Sequence, residues 1–209
     1  MYSYIQNREI RNELRTYCED RIIQLQKVLR DYFTFSFKLI GSGENRLMTV
    51  NGNNNSVDLD YNIVIQRDKK QLIGKPEQIK KLFMRAIKAV CVENTKVCDS
   101  TQVITCKVGR LCGYFFSFDI AIFVEGNDGF IYKLINDKQS IPSRYIWNRV
   151  PKSKDFGYKF SYLKNNGYWE DIKSLYLKKK NLNLSRATDK SSFSILIETV
   201  NEILQQLKY

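Results

Sequence analysis

The sequence predicts an α+β fold in which a mixed sheet is flanked by helices and followed by a C-terminal helical subdomain. Two segments with apolar residues near the helical period lie among segments in which apolar residues alternate, and the last third of the chain is again helix-periodic. A chain of 209 residues with 43% hydrophobic residues can bury a sizeable core without disulfides. We therefore expect a core domain over residues 1–140 and a basic helical subdomain over residues 141–209, packed on the core.

The first half of the core contains a predicted helix and two predicted strands. Apolar residues recur near the helical period over residues 5–31. A strand is predicted over residues 33–40, with phenylalanines on one face, and it ends in the Gly-Ser-Gly turn of residues 41–43. The Gly-Asn-Asn-Asn-Ser segment at residues 52–56 indicates a loop, and alternation then predicts a strand over residues 57–65.

The second half of the core also begins with a predicted helix that is followed by predicted strands. Pro76 suits the first turn of a helix predicted over residues 76–92. Strands are predicted over residues 101–108, 113–124 and 129–135, the last after an Asn-Asp-Gly turn signal. The order of elements is typical of a sheet with helices packed on it.

After Pro142 the sequence becomes basic, aromatic and helix-periodic, with helices predicted over residues 153–165, 168–179 and 189–208. Residues 138–180 hold eleven Lys or Arg and three Asp or Glu, a net charge of +8 out of +12 for the chain. Such a region favours binding of phosphates or nucleic acid, although a solvated lysine-rich surface is an equally simple explanation.

Several classes of protein are excluded by composition. The chain has no histidine, which removes Ser-His and Cys-His catalysis. Its five cysteines include no C-x-x-C pair and indicate reduced, buried thiols. The charged first residues do not resemble a signal peptide, and no apolar run approaches a membrane span. We expect a cytoplasmic protein with no membrane partner.

Three aspartates occupy unusual positions in the predicted strands. Asp58 and Asp60 are two residues apart on one strand, so both project from the same face. Asp119 lies in a strand whose other residues are nearly all apolar, where an isolated carboxylate is costly to bury. If the two strands are neighbours, the three carboxylates converge and suit a hard divalent cation such as Mg²⁺, or Mn²⁺, as used in phosphoryl and nucleotidyl transfer.

The Gly-Ser-Gly turn adds a phosphate-binding element to this hypothesis. Glycines let a backbone approach phosphate oxygens, and amide groups with a serine hydroxyl can bind them. Gly41, Ser42 and Gly43 end one strand, and the acids open another. A triphosphate held by the turn would place its cations at the acids.

At these residues the sequence resembles the nucleotidyltransferase superfamily with the DNA polymerase β-like fold. The shared pattern is a strand ending in Gly-Ser (residues 41 and 42), a strand carrying Asp-x-Asp (residues 58–60), and a later strand carrying one further Asp, here Asp119. The sequence of residues 41–65 is similar to that of the branch that contains oligoadenylate synthetases and bacterial cyclic-oligonucleotide synthases. Arg46, Thr49 and Ser56 match a basic residue, a Thr and a Ser that often accompany the motif there.

The resemblance implies a two-metal transfer of a nucleoside monophosphate from an NTP to an acceptor hydroxyl, with release of pyrophosphate. Residues 1–140 would be the catalytic core, Asp58, Asp60 and Asp119 the metal ligands and catalytic acids, and Gly41, Ser42, Gly43 and Arg46 the nucleotide-binding residues. A lysine of the tail would reach the triphosphate. The candidates are Lys154, Lys159 and Lys164, with Tyr158 or Tyr162 to stack on the base.

Several acceptors and functions remain open from the sequence. The basic tail favours an anionic acceptor, such as tRNA or another nucleotide. A non-catalytic nucleotide- or RNA-binding module on the same fold is the alternative to an enzyme. A structural protein whose acids cap loops is a third possibility.

Overall fold

The computed structural model describes residues 1–139, 144–151, 155–186 and 190–207, and it confirms an α+β architecture with a mixed sheet. The helices are α1 (Arg8–Leu29), α2 (Gly41–Glu44), α3 (Pro76–Val90), α4 (Phe156–Asn165), α5 (Trp169–Ser185) and α6 (Ser192–Gln206). The strands are β1 (Tyr2–Tyr4), β2 (Phe33–Ile40), β3 (Thr49–Asn51), β4 (Ser56–Asp68), β5 (Lys96–Asp99), β6 (Ile104–Leu111), β7 (Tyr114–Glu125), β8 (Ile131–Asp137) and β9 (Arg144–Arg149).

The structure corrects the sequence predictions in several places. The Gly-Ser-Gly segment is not an open turn but the start of the single helical turn α2, and the strand predicted over residues 101–108 begins only at Ile104. The short strands β1, β3 and β5 were not predicted. Residues 144–149, predicted to belong to a helical tail, form β9 instead, because every one of them pairs with a residue of β8.

Strand β4 lies at the centre of the sheet and pairs with β2 and β3 in antiparallel fashion. On its other side it pairs with β7 in parallel, over ten residues from Ser56 opposite Phe115 to Ile65 opposite Val124. β7 in turn pairs with β6 and, at its end, with β8. This parallel pair in an otherwise antiparallel sheet places the starts of β4 and β7 side by side.

Helices α1 and α3 cover one face of the sheet and form the main core with it. In β4, Val57, Leu59, Tyr61, Ile63 and Ile65 all face this core and are at most 5% exposed. The strict alternation of β4 therefore sends its intervening residues to the opposite face. That opposite face is where the predicted acids lie.

A second hydrophobic cluster joins the C-terminal helices to the sheet domain. It is formed by residues of α4, α5 and α6, with Leu47, which is fully buried, contributed by the loop after α2. The boundary between residues 140 and 141 stays a prediction, and β9 lies beyond it while still belonging to the sheet. Among the described residues, no helix combines the length and apolar content needed to cross a membrane.

Leu47 is expected to be the main apolar anchor of the C-terminal helices. Leu47→Ala should lower the free energy of unfolding by about 2–5 kcal/mol, since it removes a fully buried side chain and leaves a cavity. The matched control is Leu182→Ala on the exposed face of α5, expected to change stability by less than about 0.5 kcal/mol. Urea denaturation would measure both, and equal effects would contradict this assignment.

Candidate active site

The three predicted acids lie together at the starts of the parallel strands. In the β4–β7 pairing, Asp60 is directly opposite Asp119, and Asp58 is opposite Ser117. All four residues point away from the α1–α3 core because their strand neighbours face it. The Ser117 hydroxyl donates a hydrogen bond to Asp58 Oδ1. The structure thus brings together residues that are about sixty positions apart in sequence.

Burial and mutual repulsion change the acidity of this cluster. The pKa of Asp60 is raised to about 6, first by burial and then by the negative charges of Asp119 and Asp58. The pKa of Asp119 is also raised, mainly by burial, although a hydrogen bond from Thr105 opposes the shift. Thr105 lies opposite Asp119 on β6. Ionisation of all three carboxylates is therefore unfavourable when no cation is bound.

The α2 turn lies against the acids, and two of its glycines bring the backbone close to its neighbours. Gly41 has φ +64°, and a Cβ at this position would lie 3.3 Å from Asp60 Oδ2. A Cβ at Gly43 would lie 2.9 Å from side-chain carbons of Leu39 and Leu59. The backbone of the turn therefore lies close to the Asp60 carboxylate and to both leucines, and a side chain at either glycine would force these neighbours to move.

A cleft opens between this turn, the acids and helix α5. Its empty volume is about 370 Å³, counting space open to solvent. It is lined by Tyr2, Ser42, Thr49, Ser56, Asp58, Asp60, Lys180 and Ser192. Nearly all of these side chains are polar, which suits a charged and hydrated ligand better than an apolar one. Thr49 and Ser56, noted in the sequence, both belong to this lining.

Lys180 is the lysine that the structure places in the cleft, and the sequence analysis missed it. Its side chain is 9% exposed, and its ammonium donates a hydrogen bond to Thr49 Oγ1 at 2.6 Å. Burial lowers the pKa of Lys180 to about 8, while Asp58 and Asp60 oppose the shift. A signal existed in the sequence, because Lys180 continues the buried stripe of Ile172 and Tyr176 at four-residue spacing.

The predicted basic residues lie elsewhere. Lys159 donates to Asn201 Oδ1 at 3.3 Å, and the Lys164 ammonium lies 5.5 Å from the centre of the Trp169 ring. Neither lysine lines the cleft. Arg46 is exposed and is not part of the cleft lining either. Lys154 lies outside the described residues. A role in nucleotide binding stays a prediction for all four residues, and the cleft geometry does not support it for Lys159, Lys164 and Arg46.

The exposed tyrosines of α4 are also outside the cleft lining. Tyr158 is 76% exposed and Tyr162 is 45% exposed, so both rings are accessible on the surface of the helix.

A second lysine does approach the acids from β8. The charge of Lys133 opposes the rise in pKa of both Asp60 and Asp119. Its ammonium donates to Gln102 Oε1 at 3.1 Å.

The donor set suits a hard divalent cation bound together with phosphate. All the candidate ligands are carboxylate oxygens, which Mg²⁺ prefers, and Mg²⁺ is commonly held by one or two carboxylates plus substrate phosphates. In the part of the chain that the structure describes, no group of three or more acidic or thiol side chains is arranged to hold an ion by itself. The carboxylates would therefore need ligands from a substrate to complete the coordination.

Solved structures share this fold. The chain matches the CdnE c-di-GMP synthase of Capnocytophaga granulosa with a TM-score of 0.61 at 15% identity, over 93% of this chain and 60% of that one. It matches DncV, the cyclic AMP-GMP synthase of Vibrio cholerae, with a TM-score of 0.57 at 11% identity, over 93% and 61% of the two chains. For CdnG of Bradyrhizobium diazoefficiens, a CD-NTase, the TM-score is 0.51 at 18% identity, over 73% and 42%.

These similarities confirm the polymerase β-like nucleotidyltransferase fold that the motifs predicted. The chain covers less than two thirds of the length of each of these three proteins. No protein-family model and no curated protein sequence matches it. At these low identities the similarity establishes the fold alone.

The raised pKa of Asp60 predicts an unusual dependence of stability on pH in metal-free protein. Between the ordinary pKa of 3.8 and about 6, the folded state keeps a proton that the unfolded state has lost. Stability therefore falls as pH rises through this window, and the penalty is complete above pH 6. This rise in the pKa of Asp60 corresponds to about 2–3 kcal/mol.

Asp60→Asn should remove this penalty. In EDTA at pH 7.5 we expect the variant to melt roughly 5 °C above wild type, and at pH 4.5 to differ much less. Thermal melting at the two pH values measures the difference. Asp20→Asn, on the exposed side of α1, is the control for loss of a negative charge. A lower melting temperature for Asp60→Asn at pH 7.5 would contradict the assignment.

Proposed function

We propose that this protein is a metal-dependent nucleotidyltransferase that moves a nucleoside monophosphate from an NTP to an acceptor hydroxyl and releases pyrophosphate. One observation carries the proposal. Two acids of β4 and one of β7 share a sheet face beside a cleft whose other walls are a close glycine turn and a buried lysine. Acids that only cap loops do not need to converge in this way. A cleft that binds phosphates is the simplest reason for the fold to hold three carboxylates together.

Each residue has a proposed role in this reaction. Asp58 and Asp60 would hold the divalent cation, which when bound supplies charge neutralisation for the triphosphate and the departing pyrophosphate. Asp119 accepts the proton of the attacking hydroxyl at its carboxylate, and the raised pKa of this group favours that task at neutral pH. Thr105 orients the Asp119 carboxylate through its hydrogen bond.

The opposite wall of the cleft would hold the phosphates. The Ser42 hydroxyl and the backbone of residues 41–43 lie beside Asp60, within reach of phosphates that share its cation. Lys180 would donate from its ammonium to a phosphate oxygen as the departing pyrophosphate gains charge. Its burial strengthens this interaction, since the surrounding dielectric is lower than that of water.

We propose another nucleotide as the acceptor. Among the similar structures, CdnE is described as a c-di-GMP synthase, and DncV was solved with the linear intermediate 5′ pppA(3′,5′)pG. The product and the intermediate named for those proteins consist of nucleotides joined to each other. The +8 charge of residues 138–180 is compatible with any anionic acceptor, tRNA included, but nothing in the comparisons points to tRNA.

One observation favours the non-catalytic alternative, a nucleotide-binding module on the same fold. Among the described residues, no preformed cluster of three acidic or thiol side chains could hold a metal alone. A module would bind NTPs equally well in EDTA and in Mg²⁺, and it would turn none of them over. An enzyme would lose tight binding in EDTA.

Pyrophosphate release is the direct test of the proposed reaction. Wild type incubated with ATP, GTP, CTP and UTP, singly and mixed, should release pyrophosphate in Mg²⁺ or Mn²⁺ and none in EDTA. Asp119→Asn should lower the rate at least a hundredfold, since general-base catalysis alone contributes about 10²–10⁴-fold. Nucleotide binding by the variant should persist. Turnover by Asp119→Asn at the wild-type rate would refute the role of this residue.

The lysine assignment can be tested by nucleotide affinity. Lys180→Met should weaken NTP binding in Mg²⁺ by about tenfold to a hundredfold, the usual range for a hydrogen bond to a charged group. Lys178→Met is the matched control, because Lys178 is exposed on the same helix and loses the same charge. Equal weakening in both variants would mean that Lys180 acts only through the overall charge of the tail.

A further inference from the structure

Strand β1 forms one wall of the cleft, and its Tyr2 lies against Lys180. We propose that Tyr2 is a positioning residue of the nucleotide site, whose ring, together with Thr49, directs the Lys180 ammonium toward the phosphates and keeps it off the carboxylates. The inference rests on the proposed function. It makes β1, which the sequence analysis did not predict, part of the nucleotide-binding apparatus.

The contacts of the Lys180 ammonium leave it few directions. It donates to Thr49 Oγ1 at 2.6 Å and lies 4.3 Å from the centre of the Tyr2 ring and 5.8 Å from that of Tyr176. The first ring distance is within the range of a cation–π interaction, which gains strength in a desolvated site. An ammonium has three N–H donors. With one on Thr49 and a ring against another side, the remaining donor is available to the cleft.

The backbone of Tyr2 is itself held by two hydrogen bonds with Asn181, the residue that follows Lys180. Asn181 accepts a hydrogen bond from the Tyr2 backbone N–H at 2.5 Å and donates one to the Tyr2 carbonyl at 3.1 Å. On its other side β1 pairs with β3, with Tyr2 opposite Asn51. Because Asn181 and Lys180 are consecutive on α5, the same turn of helix fixes the strand and presents the lysine to its ring.

The contacts with Thr49 and Tyr2 keep the Lys180 ammonium apart from the nearby acids. Lys180 lies close enough to Asp58 and Asp60 for their charges to oppose the effect of its burial. Yet in the part of the chain that the structure describes, Lys180 forms no ion pair with either of them within 4.0 Å. A free lysine could fold onto the acids and neutralise the ligands that a cation needs. Thr49 and Tyr2 instead supply partners that leave the carboxylates open.

Preorganisation should also strengthen binding. A lysine side chain has about 2 kcal/mol of rotamer entropy, and ordering it on binding would reduce affinity by part of that amount. In the described structure this entropy is already lost during folding, because the Lys180 side chain is packed between the rings of Tyr2 and Tyr176. Loss of the Tyr2 ring should therefore weaken nucleotide binding even though Tyr2 need not touch the nucleotide.

The test compares nucleotide affinities of matched variants. Non-hydrolysable α,β-methylene analogues of ATP, GTP, CTP and UTP are titrated in Mg²⁺ by calorimetry. Tyr2→Leu should bind roughly tenfold more weakly than wild type, since the Lys180 side chain would then have to be ordered on binding. Tyr2→Phe keeps the ring and should stay within twofold of wild type. An unchanged affinity in Tyr2→Leu would overturn the proposal.

Tyr4→Leu is the control for loosening of β1. The Tyr4 hydroxyl donates to the Lys173 carbonyl at 2.7 Å, so Tyr4 packs the same strand on the same helix without contacting Lys180. It should stay within twofold of wild type. If Tyr4→Leu weakens binding as much as Tyr2→Leu, the effect comes from packing of the strand and the proposal fails.

A double-mutant cycle separates positioning from other effects. In a Lys180→Met background, Tyr2→Leu should cost less than a further twofold, because the group it positions is gone. Full additivity of the two substitutions would overturn the proposal while leaving the proposed function intact. If wild type binds none of the four analogues, the proposed function itself fails and the role of Tyr2 fails with it.

Discussion

The parallel pairing of β4 with β7 is the constraint on which the rest of the structure depends. It places Asp60 opposite Asp119, with Asp58 one pair further along the same face. These charges repel, and burial adds to the cost of ionisation. The opposite faces of the same strands carry residues such as Leu59 and Phe118, both buried in the core. A shift of register by one residue would exchange the two faces, so burial of the core keeps the acids together.

Positive charges around the acids reduce this cost without removing it. Lys133 from β8 and Lys180 from α5 both oppose the rise in the pKa of Asp60. Lys180 is directed by Thr49 and the Tyr2 ring and does not pair with the acids. The site therefore retains both unpaired carboxylates and a separately held ammonium. That combination is suited to a cation and a phosphate chain bound together, which is the basis of the proposed nucleotidyl transfer.

The C-terminal helices matter to the site as well as to the fold. Helix α5 carries Lys180 into the cleft, and Ser192 of α6 belongs to its lining. Leu47 anchors these helices to the loop that follows the glycine turn. Asn181 joins α5 to β1. The cleft is thus built from elements at both ends of the chain.

Much of the fold and the acids of the site followed from the sequence, because they depend on local patterns. Alternation in residues 57–65 placed Asp58 and Asp60 on one face, and the apolar run around Asp119 marked the second strand. Strands β1, β3 and β9 have no such pattern, since pairing with distant partners makes them strands. The spacing of Ile172, Tyr176 and Lys180 marks one face of α5, and only tertiary structure decided that this face lies at the cleft. The Lys180 side chain is chemically the same as that of any surface lysine. It differs only because packing buries the helix face that carries it.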